Sequence, residues 1–394
     1  MAFFRNDAIN RVNLHSGVHA LAQGAGGIFF LVFLLRAGVS VPGALTAQAA
    51  ILAVRLLLRP AILPFAKRWG LKPTVILGTC VLAFQYPLLA EVTGIGPALV
   101  LVCVTVAIGE IFYYPAYNAY FAALGDREHR GHQISAREAL VAAVSVVAPL
   151  LGTWALLTFG PRPMFAAVGL IQALAAVPLI GAPNVAVKQH APGAFRAGRL
   201  GALLYATDSW FDAWFIFVWN VALFVTLGES ILAYGSAMAL AALAGAASGL
   251  WLGRHVDAGH GGRAVTIAYG AAAAVIVIRA ASIGSPVAAV ISNALGAFVM
   301  PLMLPVLGTA TYNLAKASPC PLRFGIAAEA GWDLGAISGC MIAAGLALAG
   351  VPLGAGMLLA LPGLAVAVRV LRRYFAGAAA DYAPAAVSPS LPVQ

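Results

Sequence analysis

Seven ionisable side chains sit inside long apolar runs of this 394-residue chain: His15, His19, Arg55, Glu110, Asp208, Asp212 and Arg279. An ionised group near a bilayer centre costs about 2.5–3.5 kcal/mol on insertion scales, so each is expected to face a cavity or a partner. His15, His19 and Gln23 recur at i, i+4 and i+8 and form one helical stripe, and Asp208 and Asp212 share a face in the same way. A desolvated carboxylate beside a like charge can bind and release a proton near neutral pH, and histidine does so without a large change. The pattern predicts proton handling by Asp208, Asp212, Glu110 and His19, with the histidines facing the aspartates across a transport path. Two imidazoles and two carboxylates also suit zinc or manganese. No further ligand follows nearby in sequence, and no metal site is assigned.

Arg55 and Glu110 fall near the middle of two different runs, where mutual pairing lowers the cost of burying each. Tyr114, Tyr117 and Asn118 continue the Glu110 stripe, and Trp210 and Trp214 accompany the aspartates. Asn293 joins them by helical period. The expected substrate-binding set is therefore His15, His19, Gln23, Arg55, Glu110, Tyr114, Tyr117, Asn118, Trp210, Trp214 and Asn293, a lining for a molecule with planar or apolar parts. Arg36, Arg59 and Arg279 lie toward span ends and are expected to extend to the headgroups. Glu138, Glu329 and Asp333 are placed in first helical turns, where the helix dipole favours negative charge.

The elements that position these residues follow from composition. The chain is 62% hydrophobic and only 9% charged, against about one quarter charged in an ordinary soluble domain. Continuous rather than alternating apolar runs predict membrane-spanning helices and not barrel strands. Spans are expected at 14–36, 43–66, 74–92, 96–121, 137–159, 163–182, 201–226, 229–252, 264–283, 286–314, 326–348 and 350–371. Of the 23 Lys and Arg, Arg55 and Arg59 fall within a span and Arg36, Arg162 and Arg279 toward one side; the others lie on the opposite side. By the positive-inside rule that side is cytoplasmic, with both termini there. The net charge of +10 thus follows topology and gives no reason to expect nucleic acid. The N-terminal stretch lacks a cleavage signal, so the first span is expected to be retained. Cys80, Cys103, Cys320 and Cys340 show no metal or redox spacing.

The predicted fold is therefore all-α and polytopic, with twelve spans in two sets of six. Residues 1–182 form the first six-helix bundle, 183–199 a cytoplasmic linker containing Pro183, Pro192 and Gly193, and 200–373 the second bundle. The remainder, 374–394, is rich in Ala, Pro and Ser and is expected to be disordered.

This layout resembles the major facilitator superfamily over roughly residues 10–372. Between spans two and three that family carries Gly-x-x-x-Asp-Arg-x-Gly-Arg-Arg, and here Leu63 to Lys72 matches at Arg68, Gly70 and Lys72. Leu63 and Lys67 replace the Gly and Asp. A looser echo lies between spans eight and nine, with Gly253, Arg254 and Asp257. In span five, Ala148-Pro149-Leu150-Leu151-Gly152 resembles the Gly-Pro-rich stretch of the family's exporters, with Ala in place of a Gly. The resemblance implies gating roles for Arg68, Gly70, Lys72, Arg254 and Asp257. It also implies that spans one and seven flank a central cavity and that the halves rock to expose a mid-bilayer site alternately.

Nothing in the chain forms a phosphate-binding loop, so ATP is not expected to drive it. The expected function is secondary active transport of a small organic molecule, coupled to protons and favouring export, by a monomer in a bacterial inner membrane. No enzyme activity and no cofactor are expected. Its partners are then substrate, protons and the lipid bilayer. The alternatives are a carrier of divalent metal or metal chelate, and a non-transporting receptor or scaffold on the same fold.

Overall fold

The computed structural model describes residues 6–125, 130–252 and 261–381. Twelve helices in it are long and apolar enough to cross a membrane: α1 (Asp7–Arg36), α2 (Val41–Trp69), α3 (Leu71–Ala90), α4 (Pro97–Leu124), α5 (Ala136–Phe159), α6 (Pro161–Ile180), α7 (Arg199–Thr226), α8 (Ile231–Gly249), α9 (Gly262–Ser282), α10 (Pro286–Ala317), α11 (Pro321–Leu348) and α12 (Leu353–Gly377). Within lipid the backbone must satisfy its own hydrogen bonds, and continuous helix is how this sequence does so.

Helix starts follow local chemistry. Asn6 caps α1 by accepting the Ile9 amide at 3.1 Å, and Ser40 caps α2 through the Gly43 amide at 3.3 Å. Proline occupies the opening positions of α4, α6, α10 and α11, where its missing N–H is not needed. The Pro321 start corrects one boundary. Helix α11 begins five residues before the expected 326, which moves Glu329 and Asp333 from the first turns into the body of the helix. The last helix also continues to Asp381, into the stretch expected to be disordered. The alanines after Phe375 are the best helix formers and carry it on. Residues 382–394 lie outside the described residues.

The packing repeats with a shift of six. In the first bundle α1 packs on α5 and α6, α3 on α4 and α6, and α2 on α4; in the second α7 packs on α11 and α12, α9 on α10 and α12, and α8 on α10. Two extensive seams join the bundles, α2 with α11 and α5 with α8, and the same shift converts one into the other. The larger apolar core runs through both bundles and includes Phe29, Phe165, Trp214, Trp219 and Phe224.

Among the described residues α2 is interrupted by a 3₁₀ turn at Arg59–Ala61, and α1 and α7 also depart from regular geometry. A short 3₁₀ turn, Gly27–Phe29, interrupts α1, and a π-helical turn, Ala213–Val218, interrupts α7. Such turns commonly mark functional positions, because they release backbone groups from the regular ladder.

Candidate functional site

A cavity of about 470 Å³ lies between the bundles, within the range of small-molecule sites. Its wall includes Gln23, Gln48, Arg55, Gln85, Glu110 and Asn118, with Tyr86, Tyr114, Tyr205 and Trp332 among the aromatic members. Most of the lining comes from α1 to α4, and α7 and α11 close it from the second bundle.

The cavity floor is ionic. Arg55 donates from Nη1 to Glu110 Oε2 at 2.6 Å, the pairing expected from sequence, and from Nε to Asp333 Oδ1 at 2.6 Å. One turn further on, Arg59 donates from Nη1 to Glu329 Oε2 at 2.8 Å and from Nε to Asp333 Oδ2 at 3.0 Å. Each guanidinium also binds Asp333 through Nη2. Asp333 is thus shared by both arginines and is fully buried. The Arg55 guanidinium further lies 4.9 Å from the Trp332 ring centroid, a cation–π contact. Arg55 and Arg59 are spaced i, i+4 on α2, and Glu329 and Asp333 are spaced i, i+4 on α11, so two complementary stripes meet across the seam.

Arg59, Glu329 and Asp333 were absent from the sequence-derived site. Arg59 is 2% exposed and does not extend to the headgroups. The signal was the matching spacing of the two charge pairs, hidden by a late start assigned to the eleventh span. Gln48, Gln85 and Tyr205 were missed as well, since single polar residues in apolar runs carry no pattern of their own.

Of the expected substrate-binding residues, Gln23, Arg55, Glu110, Tyr114 and Asn118 line this cavity. The other six lie elsewhere. His15 is buried inside the first bundle, with Nδ1 2.7 Å from the Ala175 carbonyl and Nε2 3.0 Å from Tyr113 Oη. A carbonyl only accepts, so Nδ1 carries a proton, and Nε2 pairs with the tyrosine hydroxyl. His19 is bonded to Gln172 Oε1 at 3.0 Å, and Tyr117 reaches Ser16 at 2.5 Å. The polar stripe of α1 therefore divides, with Gln23 turned to the cavity and the histidines turned to α4 and α6.

Asp208 and Asp212 lie in the second bundle, where Tyr269 of α9 feels the field of both and Tyr205 that of Asp208. The structure does not bring them to the histidines. Among the described residues no group of three or more His, Cys, Asp or Glu has the arrangement of a metal site. From α7 the cavity takes Tyr205 and, within the π-helical turn, Ile216 and Phe217. Trp210 instead donates to the Leu359 carbonyl at 2.7 Å. Trp214 is buried near Gly356. Asn293 accepts from Trp219 Nε1 at 2.9 Å and donates to the Ala237 carbonyl at 3.1 Å, a strut between α10, α7 and α8.

Arg279 is likewise buried rather than extended to the outer surface. It donates from Nη1 to the Phe215 carbonyl at 2.5 Å, a group within the π-helical turn, and stacks on Phe215 and Trp219 at 3.9 and 4.6 Å.

The α2–α3 connection is tied to the linker. Gly70 ends α2 at φ +87°, a conformation that favours glycine, and the Asn184 amide fills the space a side chain would need. Asn184 donates to the Trp69 carbonyl at 2.8 Å and accepts the Lys72 amide at 3.2 Å. Lys72 Nζ donates to the Ala182 carbonyl at 2.9 Å, and Arg68 lies over Trp69 at 5.4 Å. The linker then reaches the second bundle, where Arg323 donates to the Gln189 carbonyl at 2.8 Å. Arg254 and Asp257, the other expected gating residues, lie outside the described residues.

Residues 16–202 match the model of the Major Facilitator Superfamily. The crystal structure of the human organic anion transporter MFSD10 (TETRAN) superposes with a TM-score of 0.69 at 15% identity, covering 93% of this chain and 99% of that one. No curated protein matches the chain by sequence at a significant level.

Proposed function

We propose that the chain, whose residues 16–202 match the Major Facilitator Superfamily model and whose fold superposes on a transporter, is a secondary active transporter of that family that moves a small organic molecule by alternating access, coupled to protons and in the direction of export. The location in this reading is a bacterial inner membrane. The observation that carries it is the charged α2–α11 seam at the floor of the cavity. A buried ion-pair network between two bundles holds them together only while its charges are complete, so protonation or ligand binding there is felt directly at the seam.

The charge count supports the proton reading. Arg55 and Arg59 supply two positive charges, while Glu110, Glu329 and Asp333 supply three negative ones. The charges acting on Glu110 and Glu329 come from this same set. One proton brings the cluster to neutrality, and Glu110 and Glu329 are the members in the cavity wall. Asp208 and Asp212 remain proposed as a second proton site in the other bundle. His19 is not retained, because its ring is held by Gln172 and Tyr113. The export direction draws on the Ala148–Gly152 stretch of α5, where Gly152 lets that helix approach the α1 backbone at Ala25.

The organic-anion substrate named for the human structure is not carried over, since two carboxylates, Glu110 and Glu329, stand in the wall of this cavity. Purified protein in liposomes tests the reading. An imposed pH gradient should drive movement of a transported substrate, and Glu110→Gln should abolish that coupling. Transport indifferent to the gradient, and unchanged in Glu110→Gln, Asp208→Asn and Asp212→Asn, would remove it.

A further inference from the structure

The same charge count bears on the ligand. A cluster with one uncompensated negative charge, buried where water is scarce, is completed by any single positive charge that can enter the cavity. Two features give such a charge a place. Glu110 and Glu329 each hold an arginine through Oε2 alone, which leaves the second carboxylate oxygen of each free of the arginines. Both side chains keep some exposure, 21% and 13%, while Asp333 has none. Two carboxylates in the wall can therefore take a new donor without giving up their arginines.

The remaining wall suits the body of such a ligand. Tyr86, Tyr114, Tyr205, Phe217 and Trp332 line the same space, and aromatic faces attract a cation that has shed water. Trp332 already does so for Arg55. Tyr86 and Gln85 are adjacent in the same wall, and the Tyr86 hydroxyl oxygen can accept from a ligand that carries an N–H.

We infer that the cavity of this chain takes a monovalent organic cation with an aromatic or apolar body, its positive charge set against Glu110 and Glu329. This rests on the reading of the chain as a transporter and names its substrate class. Cation and proton then complete the same cluster, and each is bound in the other's absence.

An isosteric pair of opposite charge tests the inference on the wild-type chain. Tetraphenylphosphonium and tetraphenylborate have the same shape, so equilibrium binding of each to the purified full-length protein isolates the effect of sign. The phosphonium should bind at least about tenfold more tightly than the borate. Glu110→Gln and Glu329→Gln should each weaken phosphonium binding by about tenfold, with gel filtration reporting whether each variant remains folded. Tighter binding of the borate, or phosphonium binding unchanged in both folded variants, overturns the inference. The comparison on wild-type protein stands even where a variant does not fold. Movement through liposomes separates this from the broader reading. Anions driven by a pH gradient would sink the cation inference and leave transport intact, whereas phosphonium bound but never moved would do the reverse.

Discussion

Two seams join the bundles, and the six-helix shift relates them, but they are built from different chemistry. Across α2 and α11, four charged residues interlock and Glu110 extends the set. Across α5 and α8, small residues meet: a side chain on Gly235 would collide with the Thr153 hydroxyl, and α8 carries no charged residue over Ile231–Gly249. The fold repeats while the energetics do not. A seam of small residues responds to shape and can slide. A charged seam is held as a unit and responds to any event that changes its charge. In the proposed reading, this asymmetry puts control of opening on the α2–α11 side.

The comparison can be broken at its strongest point first. Asp333→Asn removes the carboxylate that both arginines share. It should cost about 3–5 kcal/mol of stability, because two buried guanidiniums lose their common counter-charge. Thermal unfolding in detergent reads this directly, and transport should be lost. A double-mutant cycle of Arg59→Gln with Glu329→Gln should give a coupling of about 1–3 kcal/mol. On the opposite seam, Gly235→Val should cost a comparable amount, about 1–3 kcal/mol, by overpacking, but the loss should not vary with pH. If it varied as the α2–α11 variants do, the distinction between the seams would fail.

Smaller effects sharpen the contrast. Tyr234 donates to the Ile28 carbonyl at 3.1 Å, linking α8 to α1. Tyr234→Phe should cost about 0.5–1 kcal/mol, an ordinary single hydrogen bond. The pair Arg162–Glu91 at 2.8 Å offers the same charge types in the open. The hydrogen bond from Arg162 holds the Glu91 carboxyl below its usual range. Its contribution is therefore present above the unfolded-state value and disappears as pH falls through the folded one. At neutral pH, Glu91→Gln should leave the unfolding temperature unchanged within error, since exposed pairs of this kind contribute little.

Much of this was legible in the sequence, and the rest was not for identifiable reasons. The twelve spans follow from where charge is excluded. The Arg55–Glu110 pair follows from the cost of leaving either alone. Glu329 and Asp333 were obscured by Pro319, Pro321 and Arg323, which read as a loop although Pro321 opens the helix. The stripe of His15, His19 and Gln23 was correctly placed on one helix, but periodicity does not say which neighbour a face meets. His15 and His19 serve the first bundle's interior instead of the path. In α7, Tyr205 lines the cavity while Trp210, five residues on, points to another face and bonds the Leu359 carbonyl; a run of aromatic residues in sequence does not say which of them shares the cavity face.

The central claim is that charge on the α2–α11 seam sets whether the bundles part there. Spin labels at Trp69→Cys and Lys316→Cys, in a chain freed of its four native cysteines, report the separation at the end of the bundles where α2 finishes and α11 begins; labels at Leu157→Cys and Leu232→Cys report the α5–α8 seam. Asp333→Asn should add a longer-distance population to the first pair. Identical distance distributions for the first pair, with and without the Asp333 charge, would contradict the claim.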